Sequence, residues 1–600
     1  MTAKRWLIMF MCIAMLIAAA VAALNVCADP FGVFGDRLFN WYSADMTNNP
    51  KAAKYAYIDA RRGQFDAFIV GPSGAGGFSP ATLEKYTGLR WYNMFNYGAD
   101  MSYTKRLAEY LLRADSPKQI LLCVPLVTAT TYDPPITDIA YYQPLKPMWR
   151  LPFFFANPKY SADKLSNFRK KSLIQQAFDV FDPQTGMYDK SRRDAEAIGD
   201  LNDYLAANLD FAGIKTQTVG LWKTDETVAG VAEVAAACKR AGTKLTVVTC
   251  PMLFQEWNNY SVKDRVNFYE KLAAVTDFWD FSLSSLGGDP RYFYDTTHFR
   301  NSTGDMMLAR IFGDSSVYMP DDLGVLVTPA NAAATAEAAP AALTAPDYTK
   351  NIPVITYHNI AESGDPSVTV SPAEFAEQMR ALRGAGYTAV SLDDLRAYVN
   401  TGAGLPARPV VITFDDGYMS NYEYAFPVLR QYGFKAAIFV IGVSFGKDAY
   451  KDSARPMIPH FGAKEAAEMA QSGLITIQSH SYDMHQLAPY DANPRKGILR
   501  NPGESEADYA AALRSDYAKN AALIKSAAGA DTFAFAYPFG HHDTLSSILL
   551  RQLGAELTFT SDPGVNTVIK GLPQSLYGLK RLTVTGGTTG DGLLKMIRGG

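Results

Sequence analysis

The chain has 600 residues, 48% of them apolar and 20% charged, with a formal net charge of −3. That length exceeds one ordinary core, so two or more domains are expected. The nearly balanced charge argues against a dedicated nucleic-acid binder, and five cysteines are too few for a disulfide scaffold.

In chain order, Lys4 and Arg5 precede an apolar run from Trp6 to Leu24. The run is long enough to cross a hydrocarbon core of roughly 30 Å, with its basic flank inside. Residues 1–28 are therefore read as a membrane anchor, with the remainder outside the cytoplasm. The rival is a cleaved signal peptide ending near Val26-Cys27-Ala28, which would leave a secreted chain. A lipoprotein is disfavoured because Val26 stands where a small residue is expected.

Residues 29–328 alternate between strand-like and helix-like segments. Phe65–Val70, Gln119–Val124 and Leu245–Thr249 read as buried strands, and Tyr103–Arg113 and Thr227–Ala241 as amphipathic helices. This is the pattern of an α/β domain around a parallel sheet. Thr128–Lys223, rich in Tyr, Phe and Pro, reads as a long insertion and a candidate substrate groove. Cys123, Cys238 and Cys250 have no CxxC spacing and read as buried small hydrophobes, not as a zinc knuckle or a redox pair.

Residues 329–350, dominated by Ala, Thr and Pro, are expected to form an exposed linker, with an Ala-rich helix as the alternative. Residues 351–600 resume the alternation. Strands are expected at Pro353–Tyr357, Val410–Phe414, Ala436–Ile441, Ile475–Gln478, Ala534–Tyr537 and Leu557–Thr560, and a helix at Ser371–Ala385. The series suggests a (β/α) barrel or a distorted form of one.

Three motifs in this half follow strands, the first of them an apolar one. In Thr413-Phe414-Asp415-Asp416-Gly417-Tyr418, adjacent carboxylates raise each other's proton affinity unless a cation is near. They point in different directions, so one can bind metal while the other stays free as a base. In Ser479-His480-Ser481-Tyr482-Asp483-Met484-His485, two imidazoles join the carboxylate in a donor set suited to zinc and similar divalent ions. The third is Tyr537-Pro538-Phe539-Gly540. The plain readings are an Asp-Asp-Gly turn, a pair of exposed loop histidines and a Pro-Gly turn.

In this order the motifs resemble the polysaccharide deacetylase (NodB-homology) family over roughly Ile352 to Val584, closest to its poly-N-acetylglucosamine deacetylase branch. The resemblance implies Asp416, His480 and His485 as metal ligands, zinc being the expected ion, and Asp415 as the general base for amide hydrolysis. Two features depart from the family pattern. No Arg precedes the Pro-x-Gly motif in Thr532–Ala536, and no His lies in the late segment Leu579–Val584. His358 is a candidate for the missing acid, with a structural histidine as the plainer reading, and Arg581 for the missing Arg.

The N-terminal half carries Gly71-Pro72-Ser73-Gly74 after its first strand and Asp295-Thr296-Thr297-His298 near its end. A Ser on a tight turn and a distant Asp-x-x-His can form nucleophile, orienter and base. Asn96-Tyr97-Gly98 is a candidate source of a backbone oxyanion donor. From Phe65 to Phe312 this half resembles the SGNH hydrolases, which implies a three-layer fold and a Ser73–His298–Asp295 triad. The Asn often found after the third strand is absent from Pro125–Thr128, so a degenerate polysaccharide-binding domain is the alternative.

The expectation is an anchored extracytoplasmic enzyme that N-deacetylates an N-acetylhexosamine polysaccharide, with a second domain removing or transferring O-acyl groups. Expected partners are the polysaccharide, the membrane and a synthase or export machinery, with no nucleic acid. The rivals are a non-catalytic export scaffold and a peptidoglycan or chitin deacetylase.

Overall fold

The computed structural model describes residues 2–30, 38, 50–130, 158–170, 181–182, 184–213, 216–343, 347–451, 453–488 and 490–599. The chain forms two compact units. One comprises Met1–Lys190, Ala207–Ser315 and Met319–Pro346, and the other Ser191–Ala206, Ser316–Tyr318 and Asp347–Gly600. Much of the expected insertion between Thr128 and Lys223 lies outside the described residues, and Ser191–Ala206 within it belongs to the second unit.

The first unit opens with a helix over Ala3–Ala28, long and apolar enough to cross a membrane and exposed along most of its length. Its sheet contains β1 (Ala67–Val70), β2 (Trp91–Asn93), β3 (Gln119–Cys123), β4 (Lys244–Val248), β5 (Phe278–Asp280) and β6 (Val325–Val327), in the order β2-β1-β3-β4-β5-β6. Pairing is parallel from β2 through β5, and β6 closes the edge antiparallel. β1 is buried at all four positions, as a strand covered on both faces must be. Helices Met101–Ala114 and Thr224–Ala241 contribute Leu107, Leu111, Val231 and Val234 to the same core as Phe68, Ile120 and Leu122. Asp100 caps the first of these helices by accepting from Tyr103 N at 2.7 Å. The strand order reverses between β1 and β3, where ligands collect at the carboxyl ends of such sheets.

The Ala-rich stretch differs from the expected exposed tether. A short helix, Ala332–Glu337, buries Ala332 and Ala336 in the first unit's core beside helix Val262–Ala273, and the Ala338 carbonyl accepts from Trp257 Nε1 at 3.1 Å. Alanine methyls allow the close helix approach that larger side chains would block.

The second unit holds β7 (Thr349–Tyr357), the small pair β8 (Asn359–Ile360) and β9 (Thr369–Val370), then β10 (Thr388–Ala389), β11 (Pro409–Phe414), β12 (Ala436–Val440), β13 (Ile475–Ser479), β14 (Ala534–Ala536), β15 (Leu557–Phe559), β16 (Val565–Ile569) and β17 (Leu582–Thr583). Strands β15-β14-β13-β12-β11-β7 run parallel in that order. The far side of β7 carries β16 antiparallel along its first half and β17 parallel along its second. The sheet curls until its ends meet. Leu579, just before β17, donates to Thr558 O at 2.8 Å and accepts from Thr560 N at 2.9 Å beside β15. The expected distorted barrel is therefore present, with β16 as its irregularity. Helices cover its outside, two of them opened by capping boxes at Ser371 and Ser391.

Candidate active sites

In the second unit the apolar strand β11 delivers Asp415 to the carboxyl end of the barrel, where its N–H still bonds Tyr357 O at 3.0 Å. The chain then turns sharply, with Asp416 at φ 71° and Gly417 at φ 85°. A Cβ on Gly417 would lie 2.9 Å from Val440 Cγ1, so glycine is required by both conformation and space. A left-handed Asp costs energy, which the turn accepts in sending the two carboxylates apart.

His480 follows β13, its N–H bonded to Val440 O at 3.0 Å. Its Nδ1 lies 2.8 Å from Ala536 O, which fixes the proton there and turns the Nε2 lone pair toward Asp416. Asn520 Nδ2 braces the loop on Val440 O, Ser479 Oγ and Ser481 O. On the same helix, Asp516 accepts from Tyr482 N at 2.8 Å and Asp483 N at 2.7 Å. Neither support carries a motif of its own.

His480 Nε2 and His485 Nε2 stand 3.7 and 3.6 Å from Asp416 Oδ1, and the three ligand atoms lie within 4.8 Å of one another. Burial, reinforced by His480, pushes His485 down to about 4 despite Asp416, leaving it in the neutral form that ligates. Asp416 Oδ1 is buried without a hydrogen-bond partner. A buried orphan carboxylate oxygen facing two imidazole nitrogens fits a divalent cation. The charge of Asp416, then burial, pushes the Tyr418 hydroxyl well above its usual range, and the Tyr418 ring lies 4.9 Å from that of the buried His460.

Asp415 faces a different environment. Arg581 holds both its oxygens at 2.7 Å and is itself fixed by Thr560 O at 2.7 Å and Thr356 Oγ1 at 3.2 Å. Burial alone would raise the Asp415 carboxyl, but Arg581 and then His480 hold it well below the usual carboxylate range. His358 Nε2 lies 4.0 Å from Asp415 Oδ2. Phe539, at φ 58°, sets its partly exposed ring 4.2 Å from that of His485 and forms a wall of the site. The Tyr537-Pro538-Phe539-Gly540 segment is a 3₁₀ turn that presents this ring.

In the first unit Ser73 begins a 3₁₀ turn directly beyond β1. Its Oγ lies 2.9 Å from His298 Nε2, and His298 Nδ1 lies 2.8 and 2.9 Å from the two Asp295 oxygens. Asp295 Oδ1 also accepts from Thr297 N at 2.9 Å and His298 N at 3.0 Å. Burial would raise Asp295, yet His298 and these bonds hold it well below the usual range. The three residues, 225 positions apart at the extremes, thus form one hydrogen-bonded chain from Ser73 through His298 to Asp295, the geometry expected of a serine triad. Tyr188 meets His298 edge-on at 5.8 Å. Of the candidate oxyanion segment, Asn96 N–H is committed to Gly71 O at 3.1 Å, and its side-chain amide to Met94 O and Tyr103 Oη. Asn96 is therefore no oxyanion donor in this arrangement.

The polysaccharide deacetylase family profile matches residues 402–558, a span that contains Asp415, Asp416, His480 and His485 but neither His358 nor Arg581. YxkH of Bacillus subtilis, which carries the name polysaccharide deacetylase, is 29% identical over 240 residues, 40% of this chain and 74% of that protein. The poly-beta-1,6-N-acetyl-D-glucosamine N-deacetylase of Escherichia coli K12 is 27% identical over 233 residues, 35% of this chain but 34% of its own length. The chain thus spans only about a third of that relative. The solved structure of IcaB from Ammonifex degensii is 28% identical, covering 41% of this chain and 97% of that one, with a TM-score of 0.35.

Proposed function

We propose that this chain, whose C-terminal half carries a polysaccharide deacetylase domain, removes N-acetyl groups from an extracellular N-acetylhexosamine polymer, releasing acetate and a free sugar amine. The observation that carries this reading is the division of labour between adjacent carboxylates: Asp416 joins His480 and His485, while Asp415 is held apart by Arg581.

Asp416, His480 and His485 would hold a divalent ion, zinc by donor chemistry, which would supply Lewis acidity toward the amide carbonyl and a more acidic water. Asp415 takes the proton from the attacking water. Arg581 keeps it ionised and fixes its plane through a bidentate fork. His358, across from Asp415, is assigned to protonate the leaving amine. Phe539 offers an apolar face to a sugar ring.

The glycan named for the Escherichia coli relative makes a β-1,6-linked N-acetylglucosamine polymer the first substrate to try. The test is acetate release from such oligomers, beside chitin oligomers and peptidoglycan, with native, chelated and Asp415→Asn protein. Release from the β-1,6 oligomers alone, lost in both controls, supports the reading. Metal-loaded protein that leaves every glycan intact would overturn it in favour of a scaffold.

The Ser73–His298–Asp295 geometry favours a second reading for the first unit, removal or transfer of O-acyl groups on the same polymer. The apolar helix Ala3–Ala28 supports anchoring of the chain at a membrane; that the rest of the chain lies outside the cytoplasm, beside a synthase or export complex, is part of the same proposal.

A further inference from the structure

The nucleophile turn of the first unit rests on two thiols. Cys123 ends β3, and Cys250 lies two residues beyond the end of β4, the neighbouring parallel strand. The two are 127 residues apart in sequence, yet their sulfurs are 3.1 Å apart. Both are buried, at 1% and 4% exposure. The backbone of the Ser73 turn presses directly on them. A Cβ at Gly71 would stand 2.8 Å from Cys123 Cβ, and one at Gly74 would stand 2.7 Å from Cys250 Sγ. Cys238 lies apart on helix Thr224–Ala241, and Cys12 and Cys27 on the N-terminal helix, so the close pair is unambiguous among the five.

We infer that Cys123 and Cys250 form a disulfide that ties the ends of β3 and β4 together beneath the Ser73 turn. The sulfurs need to approach by only about 1 Å to reach a bond of about 2.05 Å. Extracytoplasmic compartments favour such bonds, whereas the cytosol keeps thiols reduced. This inference rests on the extracytoplasmic placement and not on the deacetylase reading. In the reaction the two thiols lose two protons and two electrons to an oxidised disulfide carrier. One sulfur–sulfur bond forms in the protein and one breaks in the carrier, which leaves as two thiols. Because both groups are sealed from solvent, the bond forms as the unit folds and persists afterwards. A crosslink closing a loop of this length constrains the unfolded chain strongly.

The experiment uses the full chain, exported to an oxidising compartment and separately refolded with oxidised glutathione. Free thiols are blocked with N-ethylmaleimide under denaturing conditions, and the digest is read by mass spectrometry without reductant. The expected result is one linked peptide pair containing Cys123 and Cys250, converted to two free peptides by reductant. Native protein should also melt at a lower temperature when unfolded with reductant, whereas the Cys123→Ala/Cys250→Ala double variant should melt at the same temperature with and without it. Recovery of both cysteines carrying maleimide after both treatments, or linkage of either to another cysteine, overturns the inference. So does a reductant-sensitive melt that survives in the double variant.

Discussion

Arg581 grips Asp415 with both arms of its guanidinium, 2.7 Å to each carboxylate oxygen, from a segment 166 residues further along the chain. Both side chains are only 3% exposed, so neither charge has water to fall back on. Replacing Arg581 by Ala should lower kcat for acetate release by about 10²-fold or more, the scale of a misplaced general base, with less change in KM. Breaking a buried pair also costs about 3–5 kcal/mol, so Arg581→Lys, which keeps the charge, should retain more stability than Arg581→Ala in urea melts. Unchanged turnover in the Ala variant would remove Arg581 from the mechanism.

The Asp416, His480 and His485 cluster should bind one divalent ion per chain, measurable by elemental analysis of dialysed protein. At a free concentration about 100 times Kd the ion should stabilise the folded state by roughly 2.7 kcal/mol. His485→Ala should abolish both the bound ion and the metal-dependent rise in melting temperature. A full equivalent of ion in that variant would place the site elsewhere.

Ser73→Ala should reduce hydrolysis of an activated acetyl ester by about 10³-fold or more, and should abolish labelling by a fluorophosphonate. N-deacetylation by the second unit should be unaffected, because Ser73, His298 and Asp295 all lie in the first. Equal ester turnover in native and variant protein would reduce the triad to a binding feature.

Asp305 belongs to neither catalytic set and supplies a pH test. Burial pushes its carboxyl up to about 6, against the hydrogen bond from Thr82 at 2.6 Å and the charge of Lys85. A folded-state value above the unfolded one means that ionisation costs stability. The penalty is absent below about pH 4, grows between about 4 and 6, and is complete by neutrality. Asp305→Asn keeps an acceptor for Thr82 and removes the charge, so it should stabilise the protein by about 1–3 kcal/mol at pH 7. Near pH 4.5 the gain should largely disappear, which urea melts at the two values will show.

Local patterns carried much of this architecture. The run Val410–Phe414 reads as a buried strand because four of its five side chains are apolar, Thr413 satisfying its hydroxyl on Ile355 O at 2.9 Å, and it ends where the first carboxylate appears. β13 reads as a strand instead through its alternation of Ile475 and Ile477 with Thr476 and Gln478, just ahead of His480. The supports of these loops were not legible. Asn520 and Asp516 sit on an ordinary-looking helix, and their importance lies in the backbone groups they meet 33 to 80 residues away. In the Ala-rich stretch the alternative reading, a helix, forms over Ala332–Glu337, with Ala332 and Ala336 buried. Its composition lacks large apolar groups, but small methyls pack closely once a partner helix is in place.

By itself the sequence determined the alternating strands and helices, the apolar N-terminal helix, and the residues capable of metal and acyl chemistry, because hydrophobic periodicity and side-chain type are local properties. Only the tertiary structure decided which of them meet. It brought Arg581 rather than an upstream arginine to Asp415, committed Asn96 to Gly71, and set Cys123 against Cys250 under the Ser73 turn. Those pairings depend on strand order and on barrel closure through Leu579, which distant segments fix together by burying a shared core.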